Sequence, residues 1–151
     1  MWQADDAGHY DTQDTDQPDG NLRALLTTDA DGHYWFRSVL PASYPVPTDG
    51  PVGGLLTALG RHPMRPAHVH LRVEAAGHRP VTTHVFVAED SYLGSDAAFA
   101  VKDALVVAPQ RRTDPAEAAG WQLEGPFLDF AFDVRLVPAA ASRTAPVGVA
   151  R

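Results

Sequence analysis

The chain has 151 residues and a mass of 16.2 kDa, enough for one domain but not for a second with its own core. Lys and Arg number 12 against 19 Asp and Glu, a net charge of −7, so the basic surface that nucleic acid or anionic lipid requires is excluded. With no cysteine there is no disulfide, thiolate metal site, iron–sulfur cluster or cysteine nucleophile. No 18-residue apolar run and no charged leader with an apolar core occurs, so the expected setting is cytoplasmic.

The predicted elements are short and separated by the 13 prolines and 12 glycines, the punctuation of an all-β sandwich of mostly antiparallel strands. Trp2–Ala4 reads as the end of a strand, so the opening strands of the sandwich are expected to be missing. Leu22–Thr28 and His33–Val39 read as a hairpin across Asp29–Gly32. Tyr44 follows in a stiff Tyr-Pro-Val-Pro loop, and Val52, Leu55, Leu56 and Leu59 have the spacing of a short helix ended by Gly60. Ala67–Ala75 alternates, with Val69, Leu71 and Val73 on one face and His68, His70, Arg72 and Glu74 on the other. Pro80–Ala88 is the next strand, and Asp96–Leu105 a second short helix capped by Ser95 or Asp96. Residues 111–120 read as a loop. Phe127–Val137 is a strand whose core face is Leu128, Phe130, Phe132, Val134 and Leu136. The domain therefore spans 1–137, with 138–151 a flexible Ala/Pro/Arg-rich tail.

The sharpest local chemical feature is His68-Val69-His70. Residues i and i+2 of a strand share a side, so both imidazoles can reach one metal ion; the same pattern also suits two histidines on a polar face. Any further ligands must be carboxylate, histidine or tyrosine. Tyr44 is aimed by its proline loop, and Tyr10 projects from a turn. Tyrosinate is a hard anion suited to Fe(III). Asp14, Asp16 and Asp19 lie in a solvated loop, because Pro18 and Gly20 break the order of a calcium loop. His62 and His78 read as surface residues.

The stretches WQADDAGHYD, NLRALLTTDADGHYWFRSVLPASYPVPTDGPVGGLL, RHPMRPAHVHLRV and TTHVFV…YLGSDAAFAVK resemble the intradiol ring-cleavage dioxygenases, the family of catechol 1,2-dioxygenase and hydroxyquinol 1,2-dioxygenase. The resemblance covers roughly residues 2–107. It implies one non-haem Fe(III) per chain held by Tyr10, Tyr44, His68 and His70, with Tyr34 a tyrosine of similar setting that is not a ligand. It further implies that an aromatic diol binds the iron through both oxygens and that Tyr44 gives way and takes up its proton. Arg65 would stabilise the charge building on the ring, and O2 would open the ring to a muconate. His84 stands where many catechol enzymes have glutamine. The resemblance gives it a hydrogen-bonding role beside the ligands and leans towards hydroxyquinol, with 3-hydroxymuconate or maleylacetate as product. Family members are homodimers through an N-terminal helical region that these residues do not include. Other readings account for fewer of the residues. A non-enzymatic transthyretin-like sandwich or a zinc hydrolase leaves the tyrosine motifs unexplained, and an iron-binding fragment without turnover shares every ligand.

Overall fold

The computed structural model describes residues 1–139; residues 140–151, most of the expected tail, lie outside the described residues. Period-two patterning builds the centre. Strand β4, His68–Val73, pairs antiparallel with β5, Val81–Val87, across a turn closed by the His78 amide on the Ala75 carbonyl (3.1 Å). Strand β1, Trp2–Gln3, adds to the free side of β4 with Trp2 opposite His70, and β6, Val106–Val107, runs parallel to β5. The sheet order is β1-β4-β5-β6.

The register places His70 opposite His84 and His68 opposite Phe86, so one face gathers imidazoles. The other face is apolar. Val69, Leu71 and Val85 are buried there, and Phe36, Phe130, Phe132 and Val134 pack against them. This second layer is extended chain, tied to itself where the Tyr34 hydroxyl donates to the Phe132 carbonyl (2.8 Å). The result is sheet-rich, all-β and sandwich-like, with no closed barrel among the described residues. Among the described residues no helix is long and apolar enough to cross a membrane.

Two smaller ladders complete the frame. Strand β2, Tyr44–Pro45, pairs with β3, Met64–Arg65; β7, Gln110–Arg112, pairs with β8, Phe127–Asp129. Helix α1, Pro51–Ala58, starts with proline in its first turn. It ends in a Schellman arrangement, with the Gly60 amide on Thr57 and the Arg61 amide on Leu56.

The structure departs from the sequence pattern in several places. The turn at Asp29–His33 forms as expected, with the Asp29 amide on the His33 carbonyl (2.9 Å). The flanking runs 22–28 and 33–39 make no ladder beyond one bridge from Arg23 to Trp2, and Leu25 is fully exposed. Alternation marks a run as fit for a sheet, but a ladder also needs a partner in register. The α1 stripe is not a core stripe either: only Leu56 and Gly53 are buried, while Val52, Leu55 and Leu59 are mostly exposed. The 96–105 helix is reduced to one 3₁₀ turn, Asp103–Leu105: Phe99, at φ +52°, lies in the left-handed region and takes the chain out of the right-handed helix. Within 111–120, read as loop, helix α2 (Pro115–Gly120) forms behind an Asp114 cap that accepts the Ala116 amide (2.9 Å). The Asp-Pro pair is a helix-start signal that a loop reading passes over. Ladder pairing in 127–137 stops at Asp129, although Phe130, Phe132 and Val134 do face the core. The first two residues assigned to the tail are held, with Pro138 bridging His78 and the Ala139 amide on the Gly77 carbonyl (2.8 Å).

Gly53 and Gly54 are adjacent in α1 but differ in surroundings. A Cβ on Gly53 would lie 2.0 Å from the Thr48 carbonyl oxygen, whereas one on Gly54 would meet nothing within 4 Å. Gly54→Ala should therefore stabilise the protein by about 0.5–1 kcal/mol. Gly53→Ala should destabilise it despite the same propensity gain. Thermal unfolding of the two variants beside the wild type measures both signs.

Candidate metal centre

Three stretches of chain converge beside the imidazole face of the sheet. β4 supplies His68 and His70, β2 supplies Tyr44, and the turn after β1 supplies Tyr10. Their polar atoms close a ring. Tyr10 Oη lies 3.1 Å from Tyr44 Oη, which lies 3.2 Å from His68 Nε2. His68 Nε2 is 3.1 Å from His70 Nε2, which is 3.0 Å from Tyr10 Oη. Tyr44 and His68 are buried, and Tyr10 and His70 are partly so.

The protonation of the ring follows from its neighbours. His68 Nδ1 is 2.6 Å from the Pro66 carbonyl oxygen, which requires the hydrogen on Nδ1 and leaves Nε2 as a bare lone pair. Burial lowers the His68 imidazole to about 4, against a carbonyl bond that favours charge, and burial plus neighbouring His68 lowers His70 to about 3. Both rings are neutral at pH 7. Tyr10 is pushed up from the ordinary phenol range by burial and by the Tyr44 hydroxyl. Four contacts thus share at most three hydrogens, those of Tyr10, Tyr44 and His70. Such a cluster of converging lone pairs is what a cation satisfies.

A family model described as Dioxygenase matches residues 1–138. The chain is 51% identical over 119 residues to hydroxyquinol 1,2-dioxygenase of Rhizobium sp., covering 78% of this chain and 40% of that protein. It is 48% identical over 109 residues to an intradiol ring-cleavage dioxygenase of Aspergillus niger, covering 71% of this chain and 32% of that one. The crystal structure of Acinetobacter radioresistens catechol 1,2-dioxygenase superposes with a TM-score of 0.87 at 40% identity, covering 99% of this chain and 48% of that one. The chain belongs to the intradiol ring-cleavage dioxygenase family. It spans less than half the length of these relatives.

This intradiol family member has a donor set that suits iron. Imidazole and phenolate both ligate iron in proteins. Four donors about 2.1 Å from one centre stand about 3.0 Å apart at right angles and about 3.4 Å apart in a tetrahedron. The observed separations of 3.0–3.2 Å fall in that range.

The surroundings reach further than the sequence reading did. Arg65 is buried, with Nε donating to Asp96 Oδ1 (3.1 Å) and Nη1 to His68 Nε2 (3.3 Å). Burial opposes its charge, but the Asp96 carboxylate more than offsets this and raises the guanidinium above its ordinary value. Arg65 Nη2 is buried with no protein partner. His84 stands beside the ring, its centroid 4.5 Å from that of His70 and 5.1 Å from that of His68, and burial with Arg65 keeps it neutral. The ligand nitrogens of His68, His70 and His84 all lie within 4.8 Å of one another.

Trp2 and Asp96 were not singled out for the site. Trp2 stacks flat on His70, with centroids 4.7 Å apart and planes 5° apart, and register across β1 and β4 dictates that contact. In the sequence Asp96 has only the signature of a helix cap. It does accept the Ala98 and Ala100 amides, but its main use is Arg65. Gly8 sits behind Tyr44 at φ +88°, where a Cβ would meet Tyr44 Cβ at 3.0 Å. His62, read as a surface residue, is half-buried, bonded to Ser95 Oγ (2.9 Å) and set edge-on to Tyr92. His78 is exposed, as expected. The Asp14 and Asp16 loop closes on its own amides and Gln17.

The metal-free protein should lose stability as pH falls from about 6.5 towards 4. In that window the unfolded chain binds protons at His68 and His70 that the folded chain refuses, and folding is fully favoured only above it. Asp96, whose carboxyl the Arg65 guanidinium holds low against burial, adds its own loss only at lower pH. Urea midpoints at half-unit pH intervals read this directly. A flat profile between 6.5 and 4.5 contradicts it.

Proposed function

We propose that this chain forms the ferric site of an intradiol dioxygenase, which opens a catechol-type diol with O2. The observation that carries the reading is the closed ring of Tyr10, Tyr44, His68 and His70. These four residues would hold one Fe(III). Two tyrosinates neutralise two of its three charges and favour the oxidised state. When bound, the ferric ion would polarise a coordinated diol and make its ring carbon open to O2.

The chain's own groups then have separate tasks. Tyr44, a tyrosinate when it holds the iron, would take up a diol proton at Oη, which is buried beside His68, itself bonded to the Arg65 guanidinium. Arg65 is a fixed cation, held by Asp96, with a free Nη2 for negative charge developing on the ring. His84, neutral and on the same sheet face, orients the bound diol by hydrogen bonding. Trp2 and Phe86 shield the imidazoles from water, Trp2 against His70 and Phe86 against His68. In the overall change the bond between the two hydroxylated carbons breaks. Both atoms of O2 enter the product, which is a muconate.

Histidine at position 84, together with the name of the Rhizobium relative, favours hydroxyquinol over catechol as the diol. The setting is aromatic catabolism.

The purified protein with stoichiometric iron should be red-burgundy from tyrosinate-to-iron charge transfer. The band should move on anaerobic addition of hydroxyquinol, and admitting O2 should then yield a ring-opened dicarboxylate. Tyr10→Phe and Tyr44→Phe should each weaken the band, and His70→Ala should lower iron affinity at least about 10-fold. A colourless protein that ferric iron cannot reconstitute refutes the site. A coloured protein inert to both diols makes it an iron-binding fragment without turnover.

A further inference from the structure

The strand that positions Tyr44 is weakly built. β2 has two residues, one of them a proline that offers no amide hydrogen to its ladder with β3. Backbone pairing therefore cannot by itself keep Tyr44 Oη at 3.2 Å from His68 Nε2. The residues just before Tyr44 and just before His68 meet at one carboxylate. Asp90 Oδ2 accepts the Ser43 hydroxyl (2.5 Å) and the Ala67 amide (2.9 Å), and Asp90 Oδ1 accepts the Tyr92 amide (2.8 Å).

We propose that Asp90 is a positioning residue, whose carboxylate fixes the Tyr44–His68 spacing by joining Ser43 to Ala67; its link to iron rests on the ferric reading above. The chain spends strain to place it. Glu89, immediately before, lies at φ +67°, a left-handed conformation that is costly for a residue other than glycine. It turns the chain just past β5, which ends at Val87, back towards both segments. The Val87 amide on the Ala67 carbonyl (3.0 Å) anchors the same corner from its other side. Charged acceptors make the shorter and stronger bonds, and a carboxylate can serve three donors at once where an amide oxygen cannot. The same loop then reaches Asp96, so residues 90–96 hold Tyr44 and His68 at one end and Arg65 at the other. Asp90 touches none of the four ring atoms, so its influence on them passes through Ser43 and Ala67.

The test compares wild type, Asp90→Asn and Ser43→Ala. Three readouts serve: ferric affinity by chelator competition, position of the visible band, and crystal structures of the metal-free proteins. Asp90→Asn should lose 10- to 100-fold in ferric affinity and shift the band. Its Tyr44 Oη to His68 Nε2 separation should open beyond hydrogen-bond reach. Ser43→Ala, which frees only the Tyr44 side, should fall between it and wild type. Wild-type affinity, band and spacing in both variants overturn the proposal. Should Asp90→Asn not fold, an unshifted band and an unchanged spacing in Ser43→Ala overturn it. Should the wild type itself take up no iron, the ferric reading fails separately, and the metal-free spacing still decides the role of Asp90.

Discussion

Four electron-pair donors, brought together out of bulk water by three separate stretches of chain, have too few hydrogens to satisfy one another. That constraint organises the structure around it. The bond from His68 Nδ1 to the Pro66 carbonyl fixes the tautomer and turns the lone pair of Nε2 inward. Burial keeps His68 and His70 neutral, so the same desolvation that costs stability leaves the nitrogens free to ligate. In Tyr10 it keeps the proton on the phenol.

The frame answers the need to hold these groups. Strands β4 and β5 form the rigid part, with six register pairs between them. The tyrosines of the ring come from the turn after β1 and from the two-residue β2, both imprecise on their own, and specific contacts pin the surroundings. Gly8 lets the Tyr10 turn lie directly against Tyr44. Arg65 is buried as a charge and survives because Asp96 accompanies it. The 90–96 loop supplies carboxylates at both of its ends, so a segment with no regular structure does much of the alignment.

The imidazole pair was legible in the sequence because a strand has period two, and His68-Val69-His70 needs nothing else to share a face. The same rule separated Val69, Leu71 and Val73 from the histidines; Val69 and Leu71 are in the buried core, and half-buried Val73 packs against it. Local rules failed where a partner decides. The runs 22–28 and 33–39 read as a hairpin across a turn that does form, yet no ladder forms because no strand lies beside them in register among the described residues. Asp96 has the local signature of a cap, and tertiary contact with Arg65 turned it to another use. Asp114-Pro115 is a local helix-start signal, and a short helix does begin there. Trp2 and Asp90 gave no signal of their own, since stacking and a three-way hydrogen bond exist only between distant residues.

The sequence by itself determined the chemical vocabulary of this protein: no thiols, a net negative charge, paired strand histidines, a tyrosine in a proline-stiffened loop, and motifs shared with ring-cleaving dioxygenases. Those depend on composition, on short-range periodicity and on fixed backbone angles, which act within a few residues. The tertiary structure alone decided that Tyr10, 60 positions before His70, meets it to close the ring, that Arg65 is buried rather than exposed, and that Asp90 joins the segments entering β2 and β4. Distances of 3 Å between residues far apart in the chain follow from strand register and loop closure, and those are properties of the whole fold.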